Sequence, residues 1–272
     1  MKMRIALIGN PNVGKSVIFN NLTGMKQHTG NWPGKTVEVK EGYFEHKGYE
    51  FEVIDLPGVY SLSALTDDEE VAREFLIDHR PDVVVDILNA SQLERNLYLT
   101  LLLIEMQLNL VIVLNMYDVI ESRGDYIDVD ALSRRLGVPV VVTTATKKIG
   151  MDELREAILQ ATPEGLLNNH EVESAHSAPH SVGEPNNDDH LHYHPKHHHH
   201  GDYERLRPPS IKYGQDIEMR LKEIVGILEE EKELLDRFPP RWLALRILER
   251  DDEILLMIQN PVIRERVLEV SI

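Results

Sequence analysis

Gly9-Asn10-Pro11-Asn12-Val13-Gly14-Lys15-Ser16 decides the fold. The octapeptide fits the spacing G-x-x-x-x-G-K-[ST], with the apolar run Met3–Ile8 before it and a helical pattern, Lys15–Leu22, after it. Strand, glycine-rich turn and helix in that order build a phosphate cradle. The glycines let consecutive backbone N–H groups turn inward around phosphate oxygens. The helix N-terminus adds its positive end. In that chemistry Lys15 reaches the β- and γ-phosphates and the Ser16 hydroxyl ligates Mg²⁺. Asn10, Asn12, Val13, Gly14 and Val17 lie along the same cradle.

Working outward, the first 162 residues alternate short apolar runs with helical patterns. Thr36–Phe44 alternates in period two, with Val37, Val39 and Tyr43 on one side, as a half-buried edge strand would. Glu50–Ile54 follows after a hairpin turn at His46-Lys47-Gly48. Val83–Leu88, Leu110–Leu114 and Val138–Val142 are continuous apolar runs, expected of parallel strands buried on both faces. Leu93–Gln107 and Met151–Gln160 fit helices between and after them. The expected fold class is α/β: a P-loop NTPase sheet of the small-G-protein kind, mainly parallel, with helices on both faces.

Composition changes near residue 163. Ten of the thirteen histidines lie between His170 and His200, among Asn, Asp, Ser and Pro. Such a segment buries too little apolar surface to offset its ordering entropy, so residues 163–209 read as a disordered linker. Beyond Pro208-Pro209, Ile217, Leu221, Ile224, Leu228 and Leu235 fall on one helical stripe. A second helix is expected from near Arg241, with Trp242, Leu245, Ile247 and Leu248 inward, and a third short one ending at Pro261. Residues 210–272 thus read as a small all-α domain.

The 272 residues carry 29 Lys and Arg against 46 Asp and Glu, a formal charge of −17. That balance opposes a nucleic-acid partner, whose phosphates need cations to replace their counterions. The absence of cysteine excludes disulfides, thiolate metal sites and Cys nucleophiles. No apolar run reaches the roughly 18 residues that a membrane span requires.

Further motifs follow the cradle in order. Asp55-Leu56-Pro57-Gly58 follows a predicted strand: Asp55 can hold Mg²⁺ through water, and the Gly58 N–H can meet a γ-phosphate. Asn115-Met116-Tyr117-Asp118 resembles N-K-x-D with Met116 in place of Lys. The Asp118 carboxylate can accept from the guanine N1–H and N2–H₂, a pair that adenine lacks. Thr144-Ala145-Thr146 stands where a backbone N–H would meet the guanine oxygen. Thr36 is the candidate switch threonine, completing the Mg²⁺ shell when GTP is bound. Lys15, Thr36 and Gly58 are therefore the candidate catalytic groups of a GTPase.

Longer stretches narrow the resemblance. Gly30-Asn31-Trp32-Pro33-Gly34-Lys35-Thr36-Val37-Glu38, Asp55–Leu62, Leu93–Thr100 and Pro240–Glu249 resemble the ferrous iron transport protein B (FeoB) family. The resemblance covers residues 1–162, as a G domain, and 210–272, as a helical regulatory domain. It implies GTP/GDP and Mg²⁺ as ligands, and slow hydrolysis stimulated by K⁺. The cation would sit on the Asn12 side chain and the backbone carbonyls of Gly30 and Trp32, which adds Asn12 to the catalytic set. It also implies a place on the cytoplasmic face of the cell membrane and a membrane Fe²⁺ transporter portion as partner, with homo-oligomers possible in such families. Val59 stands where related proteins carry a water-orienting Gln.

The histidines at 190, 192, 194 and 197–200 suit Fe²⁺ or another divalent metal, or simply form a polar linker. Asp67-Asp68-Glu69-Glu70 reads as a solvated helix N-terminus, with a transient Fe²⁺ contact as the alternative. Two other functions stay open from sequence: a free cytosolic GTPase of the ribosome-assembly kind, and a metal-responsive regulatory module.

Overall fold

The computed structural model describes residues 2–24, 27–162 and 211–271. The expectation of a disordered, metal-binding linker at 163–209 falls outside them. Seven strands form one sheet: β1 (Lys2–Gly9), β2 (Gln27–Asn31), β3 (Glu38–His46), β4 (Tyr49–Asp55), β5 (Val83–Asn89), β6 (Leu110–Asn115) and β7 (Val140–Val142). Their order is β2-β3-β4-β1-β5-β6-β7. Strands β4, β1, β5, β6 and β7 run parallel, and β2 and β3 join antiparallel.

The period of two sorts the parallel strands into two cores. Met3, Ile5 and Leu7 point to one face with Val53, Val85 and Val113. There α1 (Lys15–Thr23) and α6 (Met151–Ala161) cover them. Ala6 and Ile8 point to the other face with Ile54, Val84, Leu88 and Ile112. That face carries α2 (Asp67–Glu74), its π-helical continuation Phe75–His79, and α3 (Leu93–Glu105). Two short helices, α4 (Tyr117–Ser122) and α5 (Val129–Leu136), flank β6 and β7.

The β3–β4 hairpin turns at Lys47 (φ 49°) and Gly48 (φ 82°), two left-handed residues whose twist matches that of the strands. The edge is not β3, as the alternation suggested, but β2, whose five residues are all exposed. Val37 and Val39 are buried, while Tyr43, on the same side, is half-buried under Lys2 and donates to Glu52 Oε1 at 3.1 Å. Phe44 turns to the opposite face and stacks on Phe51 at 4.7 Å.

Five more helices complete the described chain: α7 (Gln215–Leu228), α8 (Lys232–Arg237), α9 (Pro240–Leu248), α10 (Asp252–Met257) and α11 (Pro261–Val270). Pro261 therefore opens a helix rather than ending one. Its missing N–H falls at a first-turn position that needs no partner, and Asn260 caps the turn. Ile217 is exposed, one turn before the buried stripe Leu221, Ile224 and Leu228 begins. Trp242 is fully buried, and these helices share one apolar cluster with α3. Arg241 ties them to the sheet domain, reaching Glu105 on α3 at 3.1 Å and Glu218 on α7 at 2.9 Å. Among the described residues no helix is long and apolar enough to cross a membrane.

Candidate nucleotide-binding site

The phosphate loop leaves β1 where only glycine fits: a Cβ on Gly9 would lie 2.3 Å from the Ile87 carbonyl oxygen. Asn12 (φ 65°) and Gly14 (φ 89°) are left-handed, and α1 starts at Lys15 with Val17 and Ile18 N–H both on the Gly14 carbonyl at 3.1 Å. Val13 is buried, whereas Asn12, Ser16 and Val17 are exposed at the mouth. Asn10 is 4% exposed, and its Oδ1 has no hydrogen-bond partner among the described residues.

Asn115 fixes the loop to the rest of the site. Its Nδ2 donates to the Val13 carbonyl at 2.8 Å, and its Oδ1 accepts from Thr143 Oγ1 and Ala145 N–H, both at 3.0 Å. A Cβ on Gly14 would meet that Nδ2 at 2.3 Å, so the glycine and the asparagine are fitted to each other. The first residue of the N-x-x-D motif thus works as a three-way structural clamp. The Ala145 N–H, a candidate for the guanine oxygen, is engaged by Asn115 here. The Ala145 carbonyl is engaged too, by Asn21 Nδ2 at 2.7 Å.

Lys15 Nζ makes an ion pair with Asp55 Oδ1, linking the loop to the D-x-x-G segment. That segment lies over the loop: a Cβ on Gly58 would come within 3.2 Å of Pro11 Cα, and Val59 N–H donates to the Gly9 carbonyl at 3.1 Å. Met116 is left-handed (φ 59°), and its turn presents Asp118 at the start of α4. Lys147 Nζ lies 2.8 Å from Asp118 Oδ2. Sequence reasoning missed this lysine, although it directly follows Thr144-Ala145-Thr146. Thr144 and Ala145 are buried and Thr146 is exposed. Gly150 (φ 81°) lets the loop close, since a Cβ there would lie 2.1 Å from the Val142 carbonyl oxygen.

The structure therefore brings together the phosphate loop, Asp55, Gly58, Asn115, Asp118 and the 144–147 loop. It does not bring Gly30 and Trp32 to them. Gly30 pairs with Val39 in the edge strand, and Thr36 is exposed. The Trp32 carbonyl accepts from Lys35 N–H at 3.0 Å. The Trp32 ring meets Phe75 at 6.0 Å and His79 at 5.6 Å, its Nε1 donates to Glu74 at 3.2 Å, and Lys35 pairs with Glu70. The 32–35 turn is thus docked on α2 and its continuation.

The family model described as ferrous iron transport protein B matches residues 3–158, and that described as FeoB cytosolic helical domain matches residues 213–271. The chain is similar to the Fe(2+) transport protein A/Fe(2+) transporter FeoB fusion protein of Porphyromonas gingivalis. It is 38% identical over 252 residues, which cover 92% of this chain and 26% of that protein. The chain thus spans about a quarter or less of the curated relatives it matches. Among solved structures it is similar to a GDP-bound mutant of S. thermophilus NFeoB. The TM-score is 0.77 at 33% identity, covering 99% of this chain and 87% of that one. It is also similar to the FeoB G-domain of Methanococcus jannaschii, with TM-score 0.53 and 53% identity over 59% of this chain and 97% of that one.

Proposed function

The chain belongs to the ferrous iron transport protein B family, and on that premise we propose that it is the guanine-nucleotide switch of an Fe²⁺ transporter. In this reading residues 1–162 are a G domain that binds GTP and hydrolyses it slowly. Residues 210–272 are a helical regulatory domain, 163–209 link the two, and the remainder of a longer protein crosses the membrane. The switch stands on the cytoplasmic face and gates or regulates the membrane portion.

The observation that carries the reading is the Asn115 clamp. It holds the phosphate loop and the 143–145 loop in one frame, with Asp118 three residues further on. A ligand with phosphates at one end and a guanine edge at the other fits that frame. NFeoB, a relative in structure and sequence, is described as bound to GDP.

Mg²⁺ fits the donor set, since Ser16 and Asp55 offer hydroxyl and carboxylate oxygens, the ligands of a hard cation. When bound, it would neutralise charge on the β- and γ-phosphates. Lys15 now sits on Asp55. A triphosphate gives its ammonium a stronger partner, which frees the carboxylate to face the cation. Thr36 joins only if the 32–35 turn leaves α2. The same release is required before the Gly30 and Trp32 carbonyls can share K⁺ with Asn12. Val59 is 2% exposed and offers no polar side chain to orient water, consistent with slow turnover.

The test is the GTP hydrolysis rate with Mg²⁺ in KCl and in NaCl at equal ionic strength. The expected result is stimulation by K⁺ that is lost in Asn12→Ala. No guanine-nucleotide binding in either salt would overturn the reading. Binding without K⁺ stimulation would remove only the Asn12 assignment.

A further inference from the structure

The loop that follows β7 makes one short helical turn, Ala145–Lys147, and depends on its neighbours for the rest of its support. Ala145 is 3% exposed, and both of its backbone polar groups are engaged. Its N–H donates to Asn115 Oδ1 at 3.0 Å. Its carbonyl accepts twice: from Lys148 N–H at 3.1 Å, inside the loop, and from Asn21 Nδ2 at 2.7 Å, 124 residues away in sequence.

Asn21 lies in the last turn of α1, where asparagine is a weak helix former. Its amide has one usable orientation. A carbonyl oxygen only accepts, so Nδ2 must face Ala145. The backbone at Asn21 is held as well. Its carbonyl is one of the last four of the helix, which the helix itself leaves without a partner. Arg155 of α6 donates to it from Nη2 at 3.0 Å, while the Arg155 Nη1 rests on Asp152 at 2.7 Å. The donor that reaches Ala145 thus stands on a fixed base.

A trans peptide group points its N–H opposite to its carbonyl, and none of the described peptides is cis. Holding the Ala145 carbonyl on α1 therefore directs the Thr146 N–H away from α1. Thr146 is exposed, and the next side chain, Lys147, reaches Asp118. Rotating the 145–146 peptide would break two hydrogen bonds, and the shorter of them is the one from Asn21.

We propose that Asn21 is a positioning residue for the guanine base. Through the Ala145 carbonyl it fixes the 145–146 peptide so that the Thr146 N–H donates to the guanine 6-oxygen, while Asp118 takes the N1–H and N2–H₂ edge. The Ala145 N–H then stays on Asn115, and the clamp on the phosphate loop survives binding. The proposal rests on the guanine reading of Asp118 and the 144–146 loop, to which it adds a donor and the residue that aims it.

The test compares GDP with 6-thio-GDP, by competition against a fluorescent guanine nucleotide. The thio analogue keeps the edge that Asp118 reads but offers sulfur, a weak acceptor, in place of the oxygen. The wild-type chain should prefer GDP. Asn21→Ala should weaken GDP about tenfold and 6-thio-GDP by less than about threefold, so that the preference shrinks. Asn21→Asp keeps the shape but turns an acceptor on the Ala145 carbonyl, and should lose at least as much. Equal loss for both nucleotides, or no loss, makes Asn21 structural and overturns the proposal, as does failure of both variants to fold by circular dichroism. Equal binding of the two nucleotides by the wild-type chain overturns the proposal and leaves Asp118 as the guanine reader. A wild-type chain that binds no guanine nucleotide overturns the site reading and the proposal with it.

Discussion

Replacing Asp86 by asparagine should stabilise the protein above neutral pH and change it little below about pH 4. Asp86 sits in the middle of β5, 1% exposed, with Ile8 of β1 and Ile112 of β6 beside it in register. Thr100 of α3 donates to its Oδ2 at 2.6 Å. Burial pushes its carboxyl up to about 7, only partly opposed by the Thr100 hydrogen bond. The folded value lies above the unfolded one, so the native state keeps a proton that the unfolded chain has lost. Stability therefore falls as pH rises from about 4 to 7, and the loss is complete above that. With the ordinary value at 3.8 and about 1.4 kcal/mol per unit, the loss is about 4 kcal/mol. Water entry and relaxation of β5 against α3 would reduce it to on the order of 2 kcal/mol. Asparagine keeps a hydrogen bond to Thr100 and carries no charge. Urea unfolding of both proteins from pH 4 to 8.5 reads the difference directly, since every other titrating group is common to the two. The difference should open between about pH 4 and 7 in favour of Asp86→Asn and then level off. A difference flat in pH would refute the idea that desolvation governs this carboxyl.

Lys147→Ala should change stability by less than about 1 kcal/mol, because its pair with Asp118 is half-exposed. It should tighten GDP binding by at most about fivefold by removing a competitor for the carboxylate, and loss of affinity in equilibrium titration would instead make Lys147 a nucleotide contact. Asp118→Asn should exchange guanine for xanthine preference, with GTP affinity falling about a hundredfold, as a site built for two donors must when one acceptor is lost. Competition between the two nucleotides measures it. Arg73→Ala should cost about 3–5 kcal/mol in urea unfolding, because it strands Asp251 without its cation at a buried site. Arg237→Ala, which removes the exposed pair with Asp78, should cost less than about 1 kcal/mol.

The phosphate loop, the D-x-x-G turn and the central strands were legible because each is written in contiguous residues. Val83–Leu88 and Leu110–Leu114 could only be buried strands once a glycine-rich turn had fixed the class. The edge strand β2 was not legible. Gln27–Asn31 has no apolar alternation and is held by backbone pairing to β3, with the Gln27 side chain donating to Asn20, Thr23 and the Gly24 carbonyl. Pro261 was misplaced because proline reads as a breaker from one side and as a first-turn residue from the other. The Lys147–Asp118 pair joins residues 29 apart, and Arg73–Asp251 joins residues 178 apart. Neither partner belongs to a local pattern that would announce the other. The role of Asn115 was half legible: its motif marked it, but only the fold showed that its side chain is spent on three protein partners.

The helix Asp67–Glu74 and its continuation to His79 are held from two sides. On one, Trp32 packs against Phe75 and His79, and Lys35 pairs with Glu70. On the other, Arg73 reaches Asp251 and Glu253, Asp78 pairs with Arg237, and Arg80 donates to the carbonyls of Asp236 and Arg237. These contacts differ in strength by their burial. Those of Asp78 and Arg80 face solvent, contribute less than about 1 kcal/mol each and can exchange readily. Arg73 and the Asp251 side chain are 3% and 2% exposed, so parting them would leave two uncompensated charges in the interior. The low-cost motion is therefore one that pivots about Arg73 and Asp251. Such a pivot would release the 32–35 turn on one side and keep Arg73 on Asp251 on the other. It would let Trp32 and Lys35 leave α2 without detaching the C-terminal helices, as the switch proposed above requires.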